Sequence, residues 1–117
     1  MTKFFAKKPE CARGHKHDSK AEAARCHVLH VRLALGEIIG LRIHPFFPFF
    51  IDGKPVKMAN GHQAGYTADA TYIENGKQVV EDVKPDAKGS FGQSRDFPLR
   101  LAMAKALYPA IIFRIVK

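Results

Sequence analysis

Two carboxylates and a lysine stand in this chain at a spacing that suits phosphoryl chemistry. Asp69 closes the run Tyr66-Thr-Ala-Asp69, and Asp82 and Lys84 follow thirteen and fifteen residues later. Asp82 and Lys84 flank Val83, so on an extended strand they share one face, about 7 Å apart at a rise of about 3.3 Å per residue. Hard oxygen ligands of this kind hold Mg²⁺ while leaving positions for water and substrate. A lysine beside them can orient an attacking water and offset charge growing on a phosphate. Two acids on one sheet face repel each other unless a cation or a phosphate belongs between them. The chemistry implied is that of a metal-dependent phosphodiesterase. A hairpin carrying solvated surface charges is the structural alternative.

The element that must position these groups is a hairpin. Glu74-Asn75-Gly76-Lys77 holds the Asn-Gly pair that most strongly signals a tight turn. It joins a first strand, Tyr66–Ile73, carrying Asp69, to a second, Gln78–Lys84. The strand period of two puts Val79 and Val83 on one face and Val80, Asp82 and Lys84 on the other. Glu81 falls on the Val79/Val83 face as a competing carboxylate.

Upstream, Ser19-Lys20-Ala21-Glu22 is a capping-box sequence, opening a helix that runs to Leu35 with Gly36 as its stop. Ala24, Val28, Val31 and Leu35 form its expected buried stripe. Glu22, Cys26, Leu29 and Leu33 make the adjacent row, so Glu22 is either a helix cap or a third acid of the site. Ile38–Ile43 and His44–Ile51 are strand-like, but Pro45 and Pro48 restrict them to edges or bulged connections. Asp52-Gly53 turns the chain into a short strand near Pro55–Met58. Ala59–Gly65 and Pro85–Ser94 read as loops. A second helix over Asp96–Leu107, with Leu99, Met103 and Leu107 as its stripe, ends before Pro109. Ala110–Val116 is apolar and β-branched, a buried strand beside the hairpin. The order predicts a small α/β or α+β domain around a mixed central sheet flanked by helices.

Charge points to the partner. The chain has 117 residues, 19 Lys/Arg against 11 Asp/Glu and a net charge of +8. Residues 1–32 carry +5, residues 85–117 carry +4, and residues 69–84 carry −2. Basic ends around an acidic centre suit a protein that grips a phosphate backbone and holds a cation in the middle. Lys7, Lys8, Lys16, Arg95, Arg100 and Lys105 are the candidate nucleic-acid contacts. Residues 1–17 read as a basic arm and residues 18–117 as one domain. No apolar run suits a membrane helix, the start lacks the apolar core of a signal peptide, and two cysteines give no disulfide framework. A cytoplasmic setting follows. Cys11, His15, Cys26 and His30 could be arranged around zinc, but a buried structural Cys26 is preferred. Phe46, Phe47, Phe49 and Phe50 read as core, and as the best patch for a two-fold partner if the protein is a homodimer.

The succession Ser19-Lys20-x-Glu22, Tyr66-Thr-Ala-Asp69, Val80-Glu-Asp82-Val-Lys84 and Ala106-Leu-Tyr-Pro109 resembles an uncharacterised family of short phage and prophage proteins, domain of unknown function 1064. That family is similar to the PD-(D/E)XK, restriction-endonuclease-like nucleases, and in size and motif order to phage Holliday-junction resolvases of the endonuclease I type. The resemblance covers the chain from about residue 17 onward. It implies a core of helix, antiparallel strands, helix and strand. It also implies metal ligation by Asp69, Asp82, Glu22 and the Val83 carbonyl, with Lys84 as the catalytic lysine. Ala68 stands where the superfamily's name has proline, and Pro85 follows Lys84 where a glycine is expected; neither removes a catalytic group. The expected activity is a Mg²⁺-dependent (or Mn²⁺-dependent) DNA endonuclease, phage- or prophage-encoded and acting in a bacterial cytoplasm. The alternatives are a non-catalytic DNA-binding accessory protein on the same fold and a zinc-stabilised interaction module.

Overall fold

The structure, a computed structural model, describes residues 20–84 and 96–117. Its elements are α1 (Lys20–Ala34), β1 (Ile39–Ile43), β2 (Phe46–Pro48), β3 (Phe50–Ile51), β4 (Lys54–Pro55), β5 (Gly65–Thr67), β6 (Ala70–Glu74), β7 (Lys77–Val83), α2 (Phe97–Leu107) and β8 (Ile112–Val116). The expected arm over residues 1–17, the cap at Ser19 and the loop from Pro85 lie outside the described residues. Among those described, no helix is long and apolar enough to cross a membrane.

The Asn75-Gly76 hairpin is the organising feature. Both residues take positive φ, 53° and 77°, as a two-residue turn of the type I′ class requires. β7 then lies between β6, antiparallel, and β8, parallel, and β1 closes the other edge in the order β1-β6-β7-β8. The protein is therefore a mixed α+β fold with a mixed central sheet and two helices. β8 sits beside the hairpin as expected, but it is an edge strand and not a buried one: Ile112 and Ile115 are exposed and none of its residues is fully buried.

The two faces of β7 serve different cores. Val79 packs with Leu29, Ile38, Ala70 and Tyr72 on the α1 side. Val80 packs with Phe47, Phe49, Tyr66, Ala68 and Ala104 on the α2 side. The alternation read from sequence holds.

The first hairpin strand is not continuous, which corrects the Tyr66–Ile73 expectation. β5 pairs with β2, and β6 pairs with β1, so one long antiparallel ladder bends sharply at His44-Pro45 and Ala68-Asp69. Two backbone hydrogen bonds carry it through the corner: His44 N–H to the Asp69 carbonyl at 3.0 Å, and Ala68 N–H to the Pro45 carbonyl at 3.1 Å. Asp69 thus lies in the corner, just before β6, rather than on a strand. The proline-rich segment is broken as expected, with Pro45 at the corner and Pro48 ending β2. Gly65 is needed beyond the corner, because a Cβ there would stand 2.4 Å from the Phe46 ring and 2.6 Å from the Phe47 carbonyl oxygen.

Both helices are rotated from their expected stripes. On α1 the buried residues are Glu22, Ala23, Cys26 and Leu29, whereas Ala24, Val28, Val31 and Leu35 are exposed, Leu35 by 68%. The two rows are similarly apolar, so packing alone does not choose between them. Glu22 and Arg25 do, because each bonds across to the sheet side. On α2, Ala104 is the buried residue and Phe97, Leu101, Met103 and Tyr108 pack on the core, while Leu99 is 63% exposed. Aromatic contacts set this rotation: Phe97 meets Tyr66 at 6.2 Å between ring centroids, and Tyr108 meets Phe47 edge-on at 5.6 Å. Of the four phenylalanines in the proline-broken segment, Phe47 and Phe49 are core and Phe46 and Phe50 are exposed.

Candidate active site

At the corner of the bent ladder, β6 begins and its antiparallel neighbour β7 ends, so Asp69 meets the last residues of β7. The Val83 N–H donates to Asp69 Oδ2 at 2.6 Å, and the Asp69 N–H donates to the Glu81 carbonyl at 3.2 Å. Asp82 and Lys84 project from the far face of β7 into a cleft of about 400 Å³. That cleft is also lined by His44, Thr67, Ala68, Asp69, Asp96, Phe97 and Arg100. The Lys84 ammonium lies over the Phe97 ring, 4.4 Å from its centroid, an arrangement that steadies the cation without neutralising it.

Glu22 approaches from α1. It is 7% exposed, and its Oε2 lies 2.7 Å from His44 Nε2. Ligand atoms of Glu22, His44 and Asp69 all fall within 4.8 Å of one another. The structure thus brings together Glu22, Asp69, Asp82 and Lys84, the four candidates of the sequence, and adds His44. Sequence reasoning missed His44 because its neighbours are set by the bent ladder, in which it faces Asp69 across 25 positions of chain.

The competing carboxylate, Glu81, is fully occupied elsewhere. It is completely buried on the α1 side. Arg25 grips both of its oxygens, Nε to Oε2 at 2.8 Å and Nη2 to Oε1 at 3.0 Å, and the Tyr72 hydroxyl donates at 2.6 Å. Glu81 is structural, and it anchors α1 one turn after Glu22.

The remaining expectations divide. Arg100 lines the cleft, but its guanidinium is held by Asp96 at 2.7 Å and by the Gly65 carbonyl at 2.7 Å. Lys105 is exposed on α2 and does not line the cleft. Lys7, Lys8, Lys16 and Arg95 lie outside the described residues, as do Cys11 and His15. Cys26 is buried, with its Sγ 3.6 Å from His30 Nδ1.

The electrostatics of the cleft are those of a crowded acidic site. Burial pushes the Asp82 carboxyl up to about 6, with the charge of Glu22 adding to the rise and Lys84 opposing it. Asp69 is also pushed up to about 6, again mainly by burial, against the hydrogen bond from Val83. Asp82 Oδ2 is buried and, among the described residues, has no hydrogen-bond partner. A carboxylate oxygen left bare in the interior is unusual, and a divalent cation is the partner that fits it. Other oxygen donors and one imidazole stand close by, and both acids are more readily ionised beside positive charge. The residues present fit such an ion.

A pH effect on stability follows. The folded-state value for Asp82 lies above its ordinary 3.8, so folding favours its protonated form. Its contribution is most favourable below about pH 4 and is lost as pH rises through about 6. Asp82→Asn is expected to remove that loss, leaving the variant more stable than the wild type at pH 7 without divalent ions, on the order of 2 kcal/mol. Thermal melts of both proteins from pH 4 to 8 check it: the gap should open between pH 4 and 6 and then level off. A gap that stays constant across this range would show that Asp82 titrates normally.

An acidic cleft at the bent end of a mixed sheet, bordered by α2 and with Glu22 of α1 close to Asp69, defines the class of this α+β protein. The chain belongs to the family described as Protein of unknown function (DUF1064), which matches residues 1–108. No curated protein matches the chain. No solved structure matches it either.

Proposed function

We propose that the protein is a metal-dependent DNA endonuclease of the PD-(D/E)XK, restriction-endonuclease-like kind, acting on phage or prophage DNA, with branched DNA as a candidate substrate. The observation that carries this reading is the convergence of Asp69, Asp82 and Lys84 on one cleft, with Glu22 close beside Asp69 and with an Asp82 oxygen that is buried and, among the described residues, has no hydrogen-bond partner. Asp69, Asp82 and Glu22, with the Val83 carbonyl, are the groups that would hold Mg²⁺ or Mn²⁺. Such an ion supplies positive charge to the scissile phosphate and makes an attacking water more acidic.

The chain's own residues set the geometry. Asp69 is pinned by the Val83 amide, so its carboxylate does not depend on substrate for its orientation. Lys84, resting on Phe97, points its ammonium into the cleft, where it orients water and meets charge on the phosphoryl oxygens. The basic excess of the chain supplies attraction for neighbouring phosphates.

The test is a cleavage panel of supercoiled, linear, nicked, flapped and four-way-junction DNA, with Mg²⁺, with Mn²⁺ and with chelator. Metal-dependent cleavage of at least one substrate, abolished by chelator, is expected. DNA binding that weakens steeply with salt, without cleavage under either ion, would replace this reading with that of a non-catalytic DNA-binding accessory protein.

A further inference from the structure

We propose that His44 is a ligand of the site's cation, giving a mixed nitrogen and oxygen donor set that favours Mn²⁺ and its first-row neighbours over Mg²⁺. The inference rests on the metal site of the proposed function but adds a residue that lies outside the three acids and one lysine of the sequence motif.

Three observations carry it. Nε2 of His44 stands 2.7 Å from Glu22 Oε2, and a donor atom of each of Glu22, His44 and Asp69 lies within 4.8 Å of the others. Donors about 2.1 Å from a metal stand roughly 3–4 Å apart, so small side-chain adjustments would bring these three atoms onto one ion. Next, the placement is built into the backbone. His44 has φ 56° and is tied by its own N–H to the Asp69 carbonyl, so the bend that presents Asp69 presents the imidazole too. Finally, the neighbouring Asp82 Oδ2 is buried and, among the described residues, lacks a hydrogen-bond partner, a condition that a bound cation would relieve.

The choice of ion follows from the donor. Mg²⁺ prefers oxygen and keeps its waters, whereas imidazole suits transition ions and their affinities rise from Mn²⁺ to Cu²⁺. In the protein alone a hydrogen bond joins Nε2 and Oε2; ligation through Nε2 would require the neutral imidazole to hold its proton on Nδ1, leaving the Nε2 and Oε2 lone pairs for the metal.

His44→Asn is the useful variant, because asparagine tolerates the left-handed backbone and replaces imidazole nitrogen with an amide. His44→Gly removes the side chain altogether while also accepting φ 56°. Calorimetric titration with MnCl₂ and with MgCl₂ should show Mn²⁺ affinity falling at least tenfold in both variants and Mg²⁺ affinity changing less than threefold. Pulsed electron paramagnetic resonance of the Mn²⁺-loaded wild type should show nitrogen modulation from a bound imidazole, absent in both variants. Melting curves within a few degrees of wild type confirm that the fold is retained. Equal losses for the two ions, or a Mn²⁺ spectrum without nitrogen modulation, would overturn the assignment and leave the nuclease reading intact. Nitrogen ligation without cleavage of any DNA substrate would do the reverse, upholding His44 as ligand and removing the nuclease.

Discussion

Replacing Lys84 with methionine is expected to slow DNA cleavage about a thousandfold, an effect of about 4 kcal/mol on the barrier, while the protein stays folded and still binds DNA. Methionine keeps an unbranched stem against Phe97 and removes only the ammonium that lies 4.4 Å from that ring. Because this charge draws down both Asp69 and Asp82, its loss pushes both carboxyls further up. The residual activity should therefore have a pH profile displaced to higher pH. Single-turnover rates across pH 6–9, with DNA affinity measured alongside, separate the outcomes. A loss below tenfold at every pH would remove Lys84 from the chemistry. A loss of binding equal to the loss of rate would make it a phosphate contact instead.

Arg25→Ala is expected to destabilise the protein by about 3–5 kcal/mol, the usual consequence of stranding one member of a buried ion pair. Glu81 is completely buried, and among the described side chains only Arg25 and the Tyr72 hydroxyl bond to its carboxylate. With the guanidinium gone, a carboxylate is left in the core with a single neutral donor. The double variant Arg25→Met/Glu81→Met should regain most of the loss, because no charge then remains to be solvated. Urea unfolding of the wild type, the single variant and the double variant forms the measurement. A single variant as stable as wild type would show that water reaches Glu81. A double variant no better than the single would mean that the pair specifies how α1 docks, and cleavage by that variant should then fall as Glu22 drifts from Asp69.

How much could be read from the chain depended on how local the determinant was. The Asn75-Gly76 turn is a two-residue event, and the alternation it imposes on residues 79–84 follows from pleat geometry. Hence the separation of Asp82 and Lys84 from Glu81 was legible, as was the apolar strand beside them. The rotation of α1 was not, since Val28 and Val31 are as apolar as Cys26 and Leu29. What decides between the rows is bonding of Glu22 to His44 and of Arg25 to Glu81, partners 22 and 56 positions away. The rotation of α2 was hidden for a similar reason, because the rings of Tyr66 and Phe47 come from other segments. His44 escaped notice because its role is created by the bend of the ladder. Pro45 hinted at a break there, but no local signal says which residue a broken strand will present.

The strand Lys77–Val83 writes two instructions in alternating positions. On one face Val80 packs under α2 while Asp82, with Lys84 just beyond, addresses the cleft; on the other, Val79 and Glu81 address α1. Inserting or deleting one residue within it would exchange the two sets, driving Asp82 toward Arg25 and turning Glu81 into the cleft, with net charge and composition almost untouched. Substitution scanning would register residues 79–83, all of them buried, as one sensitive run. Length scanning should find it intolerant along its whole extent, while the Asn75-Gly76 turn, which faces solvent, can absorb extra residues at modest entropic cost.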